Sequence, residues 1–228
     1  MPNSANAAVP RPRIFLIHAT PLAIAPIADS FARLWPAAEL CNLLDDSLSA
    51  DLAKTGQLDA AMMRRFLTLA TYARDAGATG ILFTCSAFGP AIEACRSALP
   101  LPLLKPNEAM IAEALAQGGT IGLLATFAPS LASMEQEFAE RAAALGVRAD
   151  LVLRMVPGAF QALQRGDAAG HDAAIAHEAA ALAGCDRICF AQFSMSSAAN
   201  AAATASGRPV LTTPDSAVRR LRELLAGG

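Results

Sequence analysis

The sequence predicts an α/β protein built as two pseudo-symmetric lobes, each a parallel four-stranded sheet flanked by helices, with a cleft between them. Three observations predict it. Short runs of Ile, Leu, Val and Phe alternate along the chain with longer Ala- and Leu-rich segments of helical periodicity, the pattern of βα units around a parallel sheet. The strand-like runs repeat at one spacing: Arg13-Ile-Phe-Leu-Ile matches Thr120-Ile-Gly-Leu-Leu, Ile81-Leu-Phe-Thr-Cys85 matches Ile188-Cys-Phe-Ala-Gln192, and Pro102-Leu-Leu matches Pro209-Val-Leu, each displaced by 107 positions. Finally, 228 residues with 54% apolar and 17% charged side chains suit two lobes of about 100 residues and carry too little charge for disorder or a coiled coil.

The elements follow in order. Residues 1–12 are small, polar and broken by proline, and read as a disordered tail. The apolar run Ile14–Ile17 is shorter than a signal-peptide core of roughly 7–15 residues, and no stretch of about 18 apolar residues exists to span a membrane. That run is the first strand, 13–19, followed by a helix over 22–34. The first lobe continues with strand 38–44, helix 57–76 closed by Gly77, strand 79–84, helix 88–98, strand 102–105 and helix 107–117 closed by Gly118-Gly119. The second lobe repeats the series: strand 120–126, helix 129–145 with Pro129 in its first turn and Gly146 after it, and strand 149–154. Helices 158–166 and 170–183 (closed by Gly184), strand 186–192, helix 196–206, strand 209–212 and helix 214–226 complete it, Asp215 supplying an acidic residue to the last N-terminus. Ala38-Glu-Leu matches Ala149-Asp-Leu at an offset of 111, as a small insertion with a compensating deletion produces. The expected boundaries are 13–118 with 213–228 for the first lobe and 119–212 for the second.

Eighteen Lys and Arg against twenty Asp and Glu leave a net charge of -2, and no basic stripe interleaved with aromatics appears, which excludes the footprint of a nucleic-acid binder. A small-molecule ligand is expected, with no membrane and no nucleic acid as partner. Five cysteines form no short-spaced framework and read as reduced thiols of a cytoplasmic protein. Neither Cys185 and Cys189 nor His171 and His177 complete a metal-ligand set, and no Gly-rich phosphate loop follows a strand, so no metal and no cofactor are expected.

Ligands of open α/β sheets bind at the carboxyl ends of the strands. Cys85 is the strongest candidate there: Phe83-Thr-Cys-Ser-Ala-Phe-Gly-Pro90 sets a thiol between a buried strand and a helix start, whose free N–H groups are expected to lower its pKa and let it exchange a proton. The other cysteines sit within strands or helices and read as packing residues. His18, ending the first strand, is either a base or a hydrogen-bonded structural residue. Asp45, in Leu43-Leu-Asp-Asp-Ser47, either caps the next turn or orients an ammonium group or His18.

The two lobes, the strand-end Thr-Cys-Ser segment and Ala125-Thr126 after the first strand of the second lobe together resemble the aspartate/glutamate racemase superfamily. That superfamily includes amino-acid and hydantoin racemases, maleate isomerase and arylmalonate decarboxylase. The resemblance implies a cofactor-independent isomerase, forming a homo-oligomer such as a dimer, in which two cysteines on opposite lobes exchange protons with the two faces of a carbon α to a carboxylate. It implies that Cys85 is the first of these, and that Ser86, Thr126 and the Gln192-Phe193-Ser194 segment hold the substrate carboxylate. The 107 offset, however, maps Cys85 onto Gln192, an amide that donates hydrogen bonds but exchanges no proton at neutral pH. His18 or Asp45 is then the candidate second acid or base. Two alternatives follow from the missing second thiol: a one-cysteine decarboxylase of the arylmalonate decarboxylase kind, and a non-catalytic protein that binds a small carboxylate.

Overall fold

The computed structural model describes residues 11–227, so the tail expected over 1–12 lies outside the described residues except for its last two. The first half runs β1 (Arg13–His18), α1 (Ile24–Leu34), β2 (Glu39–Leu44), α2 (Ser47–Thr55), α3 (Ala60–Asp75), β3 (Gly80–Phe83), α4 (Gly89–Ala98), β4 (Leu103–Leu104) and α5 (Glu108–Ala116). The second half runs β5 (Thr120–Ala125), α6 (Ala128–Leu145), β6 (Asp150–Met155), α7 (Ala159–Gln164), α8 (Ala168–Ala180), β7 (Arg187–Phe190), α9 (Ala199–Ser206), β8 (Val210–Thr212) and α10 (Thr213–Ala226). All strand pairs are parallel, and the sheet orders are β2-β1-β3-β4 and β6-β5-β7-β8.

The apolar runs of β1, β3, β5 and β7 are explained by burial on both faces, whereas β2 and β6, at the sheet edges, stay half-open. The duplication extends to the hydrogen-bond register. Ile14 pairs with Gly80 and Ile81 with Leu103 in one sheet; Ile121 pairs with Arg187 and Ile188 with Val210 in the other, each position displaced by 107. Arg13 pairs with Glu39 and Thr120 with Asp150, which places the insertion in the edge-strand unit as the 111 offset requires.

Two features depart from the expected pattern. Helix α2 was not expected: its sequence Ser-Leu-Ser-Ala-Asp-Leu-Ala-Lys-Thr buries only Leu48 fully, so its apolar periodicity is weak, and its clearest signal is Gly56, left-handed at φ 68, which ends it. Helix α5, placed by sequence with the first lobe, packs Met110, Ile111, Ala114 and Leu115 into the core of the second sheet beside Ile121, Leu123 and Phe138. In return α10 packs Ala217, Val218 and Leu221 against Ile14, Leu16, Phe31 and Leu82 of the first. Each repeat thus gives its last helix to the other sheet. Buried Arg187 fixes the α5 crossover by donating to the carbonyls of Ala114 and Gly118, and Glu113 on α5 binds Arg219 and Ser216 on α10.

Candidate active site

The two central strands β3 and β7 stop at Phe83 and Phe190, so Cys85 and Gln192 each lie two residues beyond a strand end and directly before a 3-10 turn, Ser86–Phe88 in one lobe and Phe193–Ala198 in the other. The strand ends of the two lobes meet: the Phe193–Ala198 turn touches α1 and the 3-10 turn Pro21–Ala23 that follows β1. Phe193 anchors this meeting, buried in the first sheet's core with Ile14, Leu16 and Trp35. Its side chain is therefore an inter-lobe anchor, which leaves its backbone for the carboxylate contact that the resemblance implies.

Cys85 is half-buried with an extended backbone, at φ -127 and ψ 120. Burial pushes its thiol above the ordinary value of 9.0, against the opposing pull of a hydrogen bond from the Ala87 N–H. This reverses the depressed pKa expected from sequence. The cause is desolvation, which outweighs the single N–H bond from Ala87; a 3-10 turn, Ser86–Phe88, separates Cys85 from α4, which begins at Gly89. Cys85 therefore rests as a neutral thiol, the form that donates a proton. Ser86 beside it is exposed.

In the second lobe, Gln192 and Thr126 form one unit. The Gln192 side-chain carbonyl accepts from the Thr126 N–H at 2.8 Å and from its hydroxyl at 3.0 Å, while Thr126 itself is buried. The amide is thereby oriented: its oxygen faces Thr126, and its NH2 makes no hydrogen bond to another described residue, leaving two N–H donors for a ligand. Ser194 is half-buried in the following turn. Cys85, Ser86, Thr126, Gln192 and Ser194 thus all lie on strand-end loops, and the loop of Gln192 and Ser194 is the one that meets the first lobe.

His18 and Asp45 do not join them as acid or base. The His18 ring is fully buried, with Nε2 at 2.9 Å from Asn42 Oδ1 and Nδ1 at 2.8 Å from the Thr84 hydroxyl. With Asn42 accepting, Nε2 carries the proton and Nδ1 accepts from Thr84. Burial pulls the ring below its ordinary value of 6.5, outweighing the opposing Asn42 bond, so the imidazole stays neutral and both nitrogens are occupied. Asp45 takes the capping role: Oδ1 accepts from the Ser47 N–H and hydroxyl, and Oδ2 pairs with Arg65 at 2.6 Å. Burial alone would raise this carboxyl, but the Ser47 bonds and the Arg65 pair outweigh it and hold it below 3.8.

Asn42, Thr84 and Arg65 are the residues that sequence reasoning missed. Asn42 had a signal, a polar side chain interrupting the apolar run of a strand. Arg65 had none, because its partners Asp45 and Asp51 lie 20 and 14 positions away on another element.

A cleft of about 940 Å³ lies elsewhere, between α4, β4, α5, α6 and α10, and contains none of the strand-end residues above. Its charges are largely self-neutralised by pairs such as Arg96 with Glu108, Lys105 with Glu93 and Arg219 with Glu113, so we place the chemistry at the strand ends. No group of three or more His, Cys, Asp or Glu among the described residues is arranged to hold a metal ion, and no described helix is long and apolar enough to cross a membrane.

A family model described as Asp/Glu/Hydantoin racemase matches residues 23–221. None of the curated proteins matches the sequence. Among solved structures, an aspartate racemase homologue from Pyrococcus horikoshii OT3 superposes with a TM-score of 0.72 at 14% identity, over 94% of this chain and 99% of that one. Allantoin racemase from Pseudomonas fluorescens follows with a TM-score of 0.65 at 15% identity, over 95% and 92%. A glycine-to-cysteine mutant of arylmalonate decarboxylase, in a sulfate-associated form, gives 0.66 at 19%, over 95% and 94%. At these identities the likeness shows the fold, two parallel four-stranded sheets flanked by helices.

Proposed function

Because the chain belongs to the Asp/Glu/hydantoin racemase family, we propose that it is a cofactor-independent enzyme of the racemase and isomerase kind, moving a proton at the carbon α to a carboxylate of a small acid. The observation that carries this reading is the placement of Cys85 and Gln192 at equivalent strand ends of the two repeats, one able to exchange a proton and the other able only to donate hydrogen bonds. Cys85 is the proton carrier. As a thiolate it takes the α-proton, and the electron pair left on carbon delocalises into the carboxylate as an enediolate. As the thiol so formed it exchanges its proton with solvent and returns one to the same face of that carbon, so the α-hydrogen is exchanged while the configuration is kept. The free N–H groups of Gln192, with the hydroxyls of Ser86 and Ser194, bind the carboxylate and stabilise the charge that grows on it in the transition state, while Thr126, whose N–H and hydroxyl both donate to the Gln192 carbonyl, holds that amide in place.

A second reading is favoured by two specific features, the neutral resting thiol of Cys85 and the amide at position 192: a decarboxylase in which loss of CO2 generates the enediolate and Cys85 protonates one face. Both readings are tested by following solvent deuterium into the α-position of a panel of carboxylates and substituted malonates. Incorporation that is lost in Cys85→Ser supports the proposal, and CO2 release from a malonate selects the second reading. Undiminished incorporation in Cys85→Ser overturns both.

A further inference from the structure

The second sheet ends on β6, which no other described strand pairs on its outer side. The Val156 N–H donates to the Ala125 carbonyl of β5, so by alternation the backbone groups of Val152 and Arg154 face β5, and those of Leu151, Leu153 and Met155 turn away from it, toward the open edge. Edge strands of soluble proteins are commonly blunted by proline, lysine or extreme shortness; β6 runs Asp-Leu-Val-Leu-Arg-Met over 6 residues and has neither proline nor lysine. Val152 is 41% exposed on the face where Arg154 meets Glu178 of α8, and Leu153 is 38% exposed on the opposite face, the one on which Leu151 and Met155 pack against the core. With Leu145 and Val147, four of the nine exposed large apolar side chains among the described residues fall within 145–153, a local concentration that isolated surface residues do not show.

The strand is complementary to itself run backwards. Directly opposed residues of an antiparallel pair either both turn their backbone groups to the partner or both turn them away, so a twofold between two copies of β6 passes through a residue: Leu151, Val152 or Leu153. Centred on Val152, Leu151 of each copy exchanges backbone hydrogen bonds with the partner's Leu153, and Asp150 of each lies directly opposite the partner's Arg154. Centred on Leu151 or on Leu153, Asp150 or Arg154 faces Val152 instead, and the charges go unmatched. Both side chains keep capacity for the pairing: Asp150 Oδ2 accepts from the Thr120 hydroxyl and Arg154 Nε donates to Glu178, while Asp150 Oδ1 and the Arg154 Nη groups make no hydrogen bond to another described residue. The other long edge strand, β2, lacks this complementarity. Its Glu39 and Asp45 N–H groups donate toward β1, so its equivalent pairing centres on Asn42 and sets Glu39 against the partner's Asp45, two carboxylates.

We propose that β6 is an association surface for a second copy of this chain, the two β6 strands pairing antiparallel about a twofold at Val152 so that two four-stranded sheets become one continuous sheet. The outward backbone groups of Leu151 and Leu153 are then satisfied, the Val152 side chains meet at the axis, and the two Asp150–Arg154 pairs select the register. Such an isologous contact closes at two copies and leaves no open edge on that side from which assembly could propagate. It does not depend on the chemistry assigned to Cys85.

The test is sedimentation equilibrium and cysteine cross-linking of the full chain. The unmodified protein should exchange reversibly between monomer and dimer over about 1–100 µM, and Arg154→Glu, which sets a carboxylate opposite Asp150 twice over, should weaken the dimer by roughly tenfold. Asp150→Arg combined with Arg154→Glu restores opposed signs and should recover the dimer, which loss of the Glu178 link alone could not do. Val152→Cys should give a reducible dimer on mild oxidation, because the non-hydrogen-bonded pair at the axis holds its Cα atoms about 4.5 Å apart, within disulfide reach. Leu153→Cys, displaced from its own copy by the register, should not, and neither should the unmodified protein with its half-buried Cys41 and Cys85. A monomer throughout that concentration range overturns the proposal. So does a dimer that is indifferent to Arg154→Glu and fails to cross-link through Val152→Cys, which would assign the contact to another surface. Cross-linking through Leu153→Cys in place of Val152→Cys overturns the register and with it the charge argument. Val152→Cys leaves the Thr120 and Glu178 links intact, so it decides the matter even if the charge variants fold poorly.

Discussion

Replacing Gln192 by cysteine tests the asymmetry between the two repeats, and its cost is readable from the structure. A cysteine side chain is too short to reach Thr126, so both bonds to the Gln192 carbonyl, at 2.8 and 3.0 Å, are lost. Thr126 is 5% exposed, and its N–H must then find water in the cleft or stay unpaired. At about 0.5–1.5 kcal/mol net for each neutral hydrogen bond, the substitution removes about 1–3 kcal/mol. For a chain of this length about 2–4 °C accompanies each kcal/mol, so Tm should fall by about 2–12 °C in a calorimetric or circular-dichroism melt. In exchange the second strand end acquires a thiol at the position equivalent to Cys85, and solvent deuterium should enter the α-position of a turned-over carboxylate from both faces, where the unmodified protein should label one. An unchanged Tm would show that the Thr126 link does not hold Gln192. Equal labelling of both faces by the unmodified protein would refute the idea that position 192 moves no proton.

Three further outcomes follow from the burial and pairing of named groups. Cys85, with its thiol pushed above 9.0, should carry less than about 1% thiolate at pH 7, so its alkylation rate should climb about tenfold per pH unit to pH 9 and beyond; a plateau reached by pH 8 contradicts the burial argument. Cys95, pushed up to about 11, and the fully buried Cys189 should label more slowly still. Burial holds His18 below 6.5, so the unfolded chain takes up its proton more readily; stability should be complete above pH 6.5 and fall below it, by up to about 1.4 kcal/mol per pH unit until the folded value is reached. His18→Gln should flatten that slope between pH 7.5 and 5, and an unaltered slope would assign the effect to another group. Arg65→Met removes the partner of both Asp45 and Asp51, two part-exposed pairs worth roughly 0.2–1 kcal/mol each. Because the Asp45 carboxyl is depressed, its contribution is present above pH 3.8 and lost as pH falls through the lower folded value, so the Tm gap between protein and variant should close in acid; a gap independent of pH refutes the pairing.

The architecture was legible in the sequence because its signals are local and doubled. A strand buried on both faces needs an unbroken apolar run, and a duplicated chain shows each run twice, so the spacing of 107 foretold two halves that repeat strand for strand, while the sheet order and the register that pairs Ile14 with Gly80 and Ile121 with Arg187 belong to the tertiary structure. The same spacing set Cys85 against Gln192. Helix α2 escaped because a surface helix that fully buries only Leu48 leaves little periodicity to read. Only the tertiary structure decided which side chains are free to act. His18 and Asp45 occupy strand ends where an acid or base belongs, yet Asn42, Thr84 and Arg65 claim them from other strands and helices. The transfer of α5 to the second sheet is likewise settled by which core has room for an apolar face, a property of two sheets at once, whereas the place of α10 with the first lobe was expected from sequence. The state of the Cys85 thiol depends on desolvation by everything packed around it, set against one N–H from Ala87. Periodicity is a property of neighbours in the chain, whereas desolvation and hydrogen-bond partnership sum over neighbours in space, and only folding brings those together.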